Sequence, residues 1–133
     1  MKNILEESKA LQLQFEKRRG LLPTIVQDIE SKEILMLGYS SQESFEETIN
    51  TGLATFWSTS REELWTKGKT SGDFLVIKEI RVDCDQDAIV FLVKKKGEGA
   101  CHTKNKVGEA RSSCFYRIYE QKEEELRFIK NMK

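Results

Sequence analysis

The 133-residue sequence has no surplus of charge: 22 Lys and Arg stand against 22 Asp and Glu. A protein whose main partner is nucleic acid or an anionic membrane needs a positive excess, so both classes are set aside. Long apolar runs are missing too. The longest, Ala88 to Val93, falls far short of the ~20 residues that cross a bilayer. The opening residues Met1 to Glu7 contain no secretory hydrophobic stretch, so the cytoplasm is the expected compartment. Histidine and proline occur once each, as His102 and Pro23, and cysteine three times, as Cys84, Cys101 and Cys114. An odd number of thiols outside a secreted context makes a poor disulfide framework, which leaves metal binding, catalysis or plain burial. Repeats, low-complexity stretches and linkers are also lacking, and the length suits a single domain over residues 1–133.

What is present reads as alternating short elements. Residues 3–18 carry Ile4, Leu11 and Phe15 near one stripe, with acidic residues early and Lys17, Arg18 and Arg19 late, and Gly20 and Pro23 follow as stop signals; this predicts an N-terminal helix. Strands are expected at 24–29 and 33–39, then a helix at 41–50 with Ser40 and Glu43 at capping-box spacing and Gly52 at its end. A strand at 53–57, a helical turn started by Ser60 and Glu63, and a glycine-bearing loop at 65–72 come next. Residues 74–82 and 88–95, β-branched and apolar, are the clearest strands; 115–119 forms a last one, before a solvated helical tail at 120–133. Strands and helices do not alternate strictly. The expected fold is therefore α+β, a mainly antiparallel twisted sheet with a few short helices and a core over about 21–119.

Three segments could carry chemistry. In Asp83-Cys84-Asp85-Gln86-Asp87 an extended chain would put the three carboxylates on one face and the thiol on the other. Crowded carboxylates repel unless a cation neutralises them, and oxygen ligands suit Mg²⁺ or Ca²⁺. The EF-hand pattern fails, with Ala88 at the turn-glycine position and Lys94 where the bidentate glutamate belongs; a solvated acidic turn is the alternative. Cys101-His102 and Cys114 form the second constellation. Adjacent side chains of an extended chain diverge, so Cys84, Cys101 and Cys114 could hold a zinc with one open vertex, leaving His102 to move protons. A closed Cys₃His zinc, or three buried thiols, answers the same spacing. The third segment, from Trp65 to Gly72, offers Lys67, the amides of Gly68 and Gly72, Thr70 and Ser71 as a phosphate cradle, with Arg61 just before it; read alone it fits an ordinary turn better, and Glu63 stands where a Walker A loop needs glycine.

Taken in order, Leu64-Trp65-x-Lys67-Gly68-x-x-Ser71-Gly72, Asp83-Cys84-Asp85-x-Asp87, Ala100-Cys101-His102-Thr103 and Ser113-Cys114-Phe115-Tyr116 resemble the phosphoribosyl-AMP cyclohydrolases of histidine biosynthesis. The likeness runs from Leu22-Pro23 to Tyr116 and takes in Met36-Leu37-Gly38-Tyr39 and Thr51-Gly52. It implies an intertwined homodimeric hydrolase that opens the adenine ring of phosphoribosyl-AMP between N1 and C6. It further implies Mg²⁺ on Asp83, Asp85 and Asp87, and zinc on Cys84, Cys101 and Cys114, with the zinc site shared between subunits. Beside that resemblance His102 is the expected proton carrier. Trp65, Lys67, Gly68, Ser71, Gly72 and Arg61 are the expected substrate contacts. The purine deaminases attack the same ring carbon, but their His-x-Glu and Pro-Cys-x-x-Cys signature is absent. Departures from the family pattern are Lys104 in place of glycine, a polar insertion over 105–111, and Lys69 in place of glutamate. The rival reading is a non-catalytic, zinc-stapled dimerisation module in which His102 completes the coordination sphere.

Overall fold

The computed structural model describes residues 4–133. Its centre is a four-stranded sheet in the order β2 (Ile34–Ser40), β1 (Leu22–Asp28), β6 (Ile89–Lys95), β5 (Leu75–Val82). β1 pairs antiparallel with β2, and β5 antiparallel with β6, while the central β1–β6 ladder is parallel. The fold is thus α+β with mostly antiparallel pairing, as expected, although its middle joint is parallel. Two hairpins stand apart from this sheet, β3 (Thr55–Ser58) with β4 (Glu63–Thr66), and β7 (Arg117–Glu120) with β8 (Glu125–Phe128).

Period-two burial explains the central sheet. On β1, Leu22, Thr24 and Val26 are buried while Ile25 between them is 39% exposed. The buried face carries Leu22, Val26, Leu35, Phe45, Phe56, Leu75, Ile89, Phe91 and Val93 as one core. Three of its rings pack tilted, Phe91 lying 5.9 Å from Phe56 and 6.5 Å from Phe45. Gly38 is needed on β2 because a Cβ there would lie 2.7 Å from the Phe56 ring. α2 (Gln42–Thr51) closes this face. Its amphipathic pattern buries Ser44, Phe45 and Thr48, and the Thr48 hydroxyl accepts the Thr55 amide at 3.0 Å, tying the helix to β3.

Four local expectations need correction. The N-terminal helix is only α1 (Ile4–Glu7) plus a 3₁₀ turn at Phe15–Arg18; Asn3 lies outside the described residues. The segment between is taken over by Gln86, whose side chain accepts the Gln12 amide at 2.7 Å and whose carbonyl accepts the Gln14 amide at 2.8 Å. The capping box of α2 is Ser41 with Ser44, one register later than Ser40 with Glu43. Glu63 begins a strand, because Phe56 and Trp57 of β3 pair with Trp65 and Leu64. The tail is a hairpin, turned at Glu124 with φ 55°, where Leu126 and Phe128 recur with period two opposite Tyr119 and Arg117.

Candidate functional site

Three segments meet around a hollow of about 330 Å³, within the range of small-molecule sites. The first wall is the β4 end and the loop behind it. Trp65 packs on Phe56 with ring centres 5.7 Å apart. Lys67 then turns inward, 6% exposed, with its amide donating to the Ala54 carbonyl at 3.1 Å. Gly68 takes φ +95° and lies so close to Phe74 that a Cβ would stand 2.3 Å from its backbone nitrogen. Only glycine fits there, and the tight turn brings Thr70, Ser71 and Asp73 to the rim.

Ala100, Cys101 and His102 form the second wall. The amides of Ala100 and Cys101 both donate to the Arg111 carbonyl at 3.1 Å. The Thr103 amide points at the Cys101 sulfur from 3.4 Å, and the Thr103 hydroxyl lies 2.9 Å from it. The third wall is Cys114, held on the edge of β2 by its amide to the Leu35 carbonyl (2.7 Å) and by the Ser113 hydroxyl to the Ile34 carbonyl (2.6 Å). Cys101, His102 and Cys114 therefore share the hollow with Trp65, Lys67, Gly68 and Ser71.

The two thiols are unequal. Burial opposes ionisation of Cys101. The Thr103 hydroxyl and amide, neighbouring Cys114 and the Arg111 charge outweigh it and hold that thiol below its ordinary value. Cys114 is exposed as a residue, yet its partly covered sulfur is pushed up to about 12 by that desolvation and by the adjacent Cys101, against the pull of Lys67. Cys84 is elsewhere. It sits exposed in the turn between β5 and β6 and lines a separate hollow with Leu5, Lys9 and Gln86. Among the described residues the three sulfurs do not converge within one chain.

Asp83, Asp85 and Asp87 do converge, with one carboxylate oxygen from each inside 4.8 Å of the others. They meet through a turn rather than through strand alternation. The Gln86 amide donates to the Asp83 carbonyl at 3.1 Å with Gln86 at φ 56°, and Asp83 Oδ1 accepts the amides of Asp87 (2.8 Å) and Ala88 (3.2 Å). Lys17 Nζ reaches Asp85 at 2.7 Å and Asp87 at 2.9 Å, and Arg18 reaches Asp87 at 2.9 Å. Lys17 first of all holds Asp87 well below the usual carboxylate range, while burial raises Asp83.

Of the remaining expected contacts, Arg61 pairs with Glu63 at 3.5 Å and lines a neighbouring hollow with Trp65 and Lys69. Gly72 closes the loop by donating to the Gly68 carbonyl at 2.7 Å. Sequence reading passed over Thr103, Arg111 and Gln86. A threonine two residues after a cysteine is a usable signal, since such hydroxyls fold back on their neighbours. Nothing local marks Gln86 or Arg111.

Comparisons with known proteins identify the family of the chain. The family model described as phosphoribosyl-AMP cyclohydrolase matches residues 36–116, from β2 through Cys114. A phosphoribosyl-AMP cyclohydrolase of Desulfatibacillum aliphaticivorans is 52% identical over 110 residues, 83% of each chain. One from Clostridium beijerinckii is 51% identical over 106 residues, covering 80% of this chain and 91% of that one. One from Archaeoglobus fulgidus is 49% identical over 110 residues, covering 83% and 94%. With the matched span enclosing the hollow, the acidic turn and all three cysteines, the chain belongs to the phosphoribosyl-AMP cyclohydrolase family, hydrolases that open a purine ring in histidine biosynthesis.

Proposed function

We propose that the chain opens the adenine ring of phosphoribosyl-AMP between N1 and C6 in the hollow lined by Trp65, Lys67, Cys101, His102 and Cys114. The product is the formimino-aminoimidazole-carboxamide ribonucleotide. The observation that carries this is the meeting of two thiols, the one histidine and a buried lysine at a single purine-sized opening.

The donor chemistry fits zinc at the thiols. Cys101 is biased toward the thiolate that a soft ion requires, and Cys114 adjoins it. Cys84 stands apart in its own chain, so a second copy is the natural source of the third sulfur: Cys84 of the partner subunit beside Cys101 and Cys114. The outer face of the sheet suits such a copy. Ile25 lies opposite Leu37 and Pro23 opposite Tyr39, and Ile25, Leu37 and Tyr39 are 39–44% exposed in a contiguous apolar stripe. The oxygens of Asp83, Asp85 and Asp87 fit a hard cation, for which Mg²⁺ is our assignment. A cytoplasmic setting goes with this reading, because thiols that hold zinc must remain reduced.

When bound, zinc supplies a Lewis acid and an activated water. The protein supplies the rest. Overall, water adds at C6, the C6–N1 bond breaks and N1 takes a proton. His102, exposed at the rim of the hollow beside Cys101, is the group that delivers it. Trp65 offers a flat apolar wall for the base. The Lys67 ammonium and the Gly68–Ser71 turn present cationic and hydrogen-bonding groups to phosphate and ribose. Gly72 supports that turn, and Arg61 at the adjacent hollow is placed for an outer phosphate.

Metal analysis together with ultraviolet absorbance on phosphoribosyl-AMP tests this. Wild type should carry zinc and turn over, and Cys101→Ala or Cys114→Ala should lose both. His102→Ala should keep zinc while kcat drops on the order of 10²-fold or more, and Asp85→Asn should blunt the response to added Mg²⁺. Stoichiometric zinc without turnover in the wild type, even with Mg²⁺, would overturn the catalytic assignment.

A further inference from the structure

Arg111 ends the polar insertion between Cys101 and Cys114, and it is gripped from both sides. The insertion itself is well organised, with Asn105 Oδ1 accepting the amides of Val107 (3.1 Å) and Glu109 (2.9 Å) and the Asn105 amide donating to the Glu109 carbonyl (2.8 Å). On the C-terminal side the Arg111 guanidinium lies 4.1 Å from the Tyr116 ring centre and 5.5 Å from that of Phe128, and its Nε donates to the Met132 carbonyl at 2.6 Å. Those rings stack on each other at 5.9 Å. A planar cation held by stacking and a directed hydrogen bond keeps one orientation.

On the other side Arg111 faces the cysteine loop. Its amide donates to the Thr103 carbonyl at 3.1 Å, and Nη1 donates to Thr103 Oγ1 at 3.0 Å. A guanidinium can only donate, so it occupies a lone pair of the hydroxyl. The single hydroxyl proton is then free for the Cys101 sulfur 2.9 Å away. The chain of contacts runs from the Met132 carbonyl through Arg111 and Thr103 to the sulfur.

We propose that Arg111 is a positioning residue: braced by the C-terminal hairpin, it orients the Thr103 hydroxyl so that Cys101 offers its sulfur to zinc in one fixed direction. This rests on the zinc reading above. β7, β8 and Met132 lie beyond the span matched by the family model and Tyr116 is its last residue, so the brace ties that span to the segment that follows it. Neither Arg111 nor Thr103 lines the hollow, which makes their effect on substrate binding indirect.

Zinc-loaded wild type, Thr103→Val, Thr103→Ser, Arg111→Ala and the Thr103→Val/Arg111→Ala double variant would be compared for zinc release to a chromogenic chelator and for kcat and KM. Partners that orient a metal ligand typically change affinity by 10–100-fold when removed, so Thr103→Val and Arg111→Ala should each speed release by about tenfold or more. The double variant should be no faster than the faster single one, because both act through the same contact. Thr103→Ser should match wild type. With excess zinc, kcat should fall in the impaired variants while KM holds. Thr103→Val is nearly isosteric and carries the test should Arg111→Ala not fold. Wild-type release rates in both single variants overturn the positioning role and leave the zinc reading standing, whereas wild type that takes up no zinc overturns both.

Discussion

Asp83, Asp85 and Asp87 carry one kind of side chain, yet their surroundings separate them. Asp87 is nearly covered, with 5% of its side chain exposed, and Lys17 and Arg18 both reach it. Its folded pKa is depressed chiefly by Lys17, so the stability it contributes is present in full above the ordinary carboxylate range near pH ~4 and is lost as pH falls through the folded value. Asp83 has the opposite sign. Burial raises it, so its contribution favours the fold at acid pH and fades as pH rises through its folded value. Lys17→Gln removes the leading cause of the Asp87 shift. In metal-free buffer its melting temperature should fall less steeply than that of wild type below about pH 4; parallel curves in a thermal scan would count against the Lys17 contact. The acidic residues and their number were plain from the sequence. That Lys17 and Arg18, some seventy positions upstream, would neutralise them was not, because a long-range ion pair leaves no local pattern.

At the level of elements, regular patterning was readable and capture by distant groups was not. β1, β2, β5, β6 and α2 were visible because their burial follows periods of 2 and 3.6, and Gly52 does cap α2 in the left-handed conformation at φ 75°. The N-terminal arm misled because its helical composition was overruled by one buried amide: Gln86 Nε2 also donates to the carbonyls of Leu5 (3.3 Å) and Ala10 (3.2 Å). In the tail, glutamate-rich propensity hid a period-two pattern that pairs Tyr119 with Leu126. The loop behind β4 shows how an element serves the site. Gly68→Ala should cost more than about 1 kcal/mol, through the positive φ and the Phe74 backbone in the way. The same change should raise KM by moving Lys67 and Ser71. A urea midpoint and steady-state kinetics check both, and an unchanged midpoint would show that the turn yields easily.

The whole molecule poses a question of completeness, since one chain brings Cys101 and Cys114 together and leaves Cys84 in another hollow. If zinc sites are shared across a two-fold, Cys84→Ala and Cys101→Ala should each be inactive alone and regain activity when mixed and reassociated. A heterodimer then holds one intact site of two, and half of the randomly formed dimers are heterodimers, which gives about a quarter of wild-type activity. Sites built within single chains would give none. Local sequence was enough for the α+β class, the main strands, the run of three aspartates and the identity of the sulfur, imidazole and carboxylate groups, because backbone periodicity and ligand chemistry are local properties. Which of these groups meet was settled by the packing of distant segments. Gln86 seizes the N-terminal arm, Lys17 and Arg18 cross to the aspartates, Arg111 links the tail to Cys101, and Cys84 is set apart. Such pairings depend on how distant segments pack, and no local pattern along the chain encodes them.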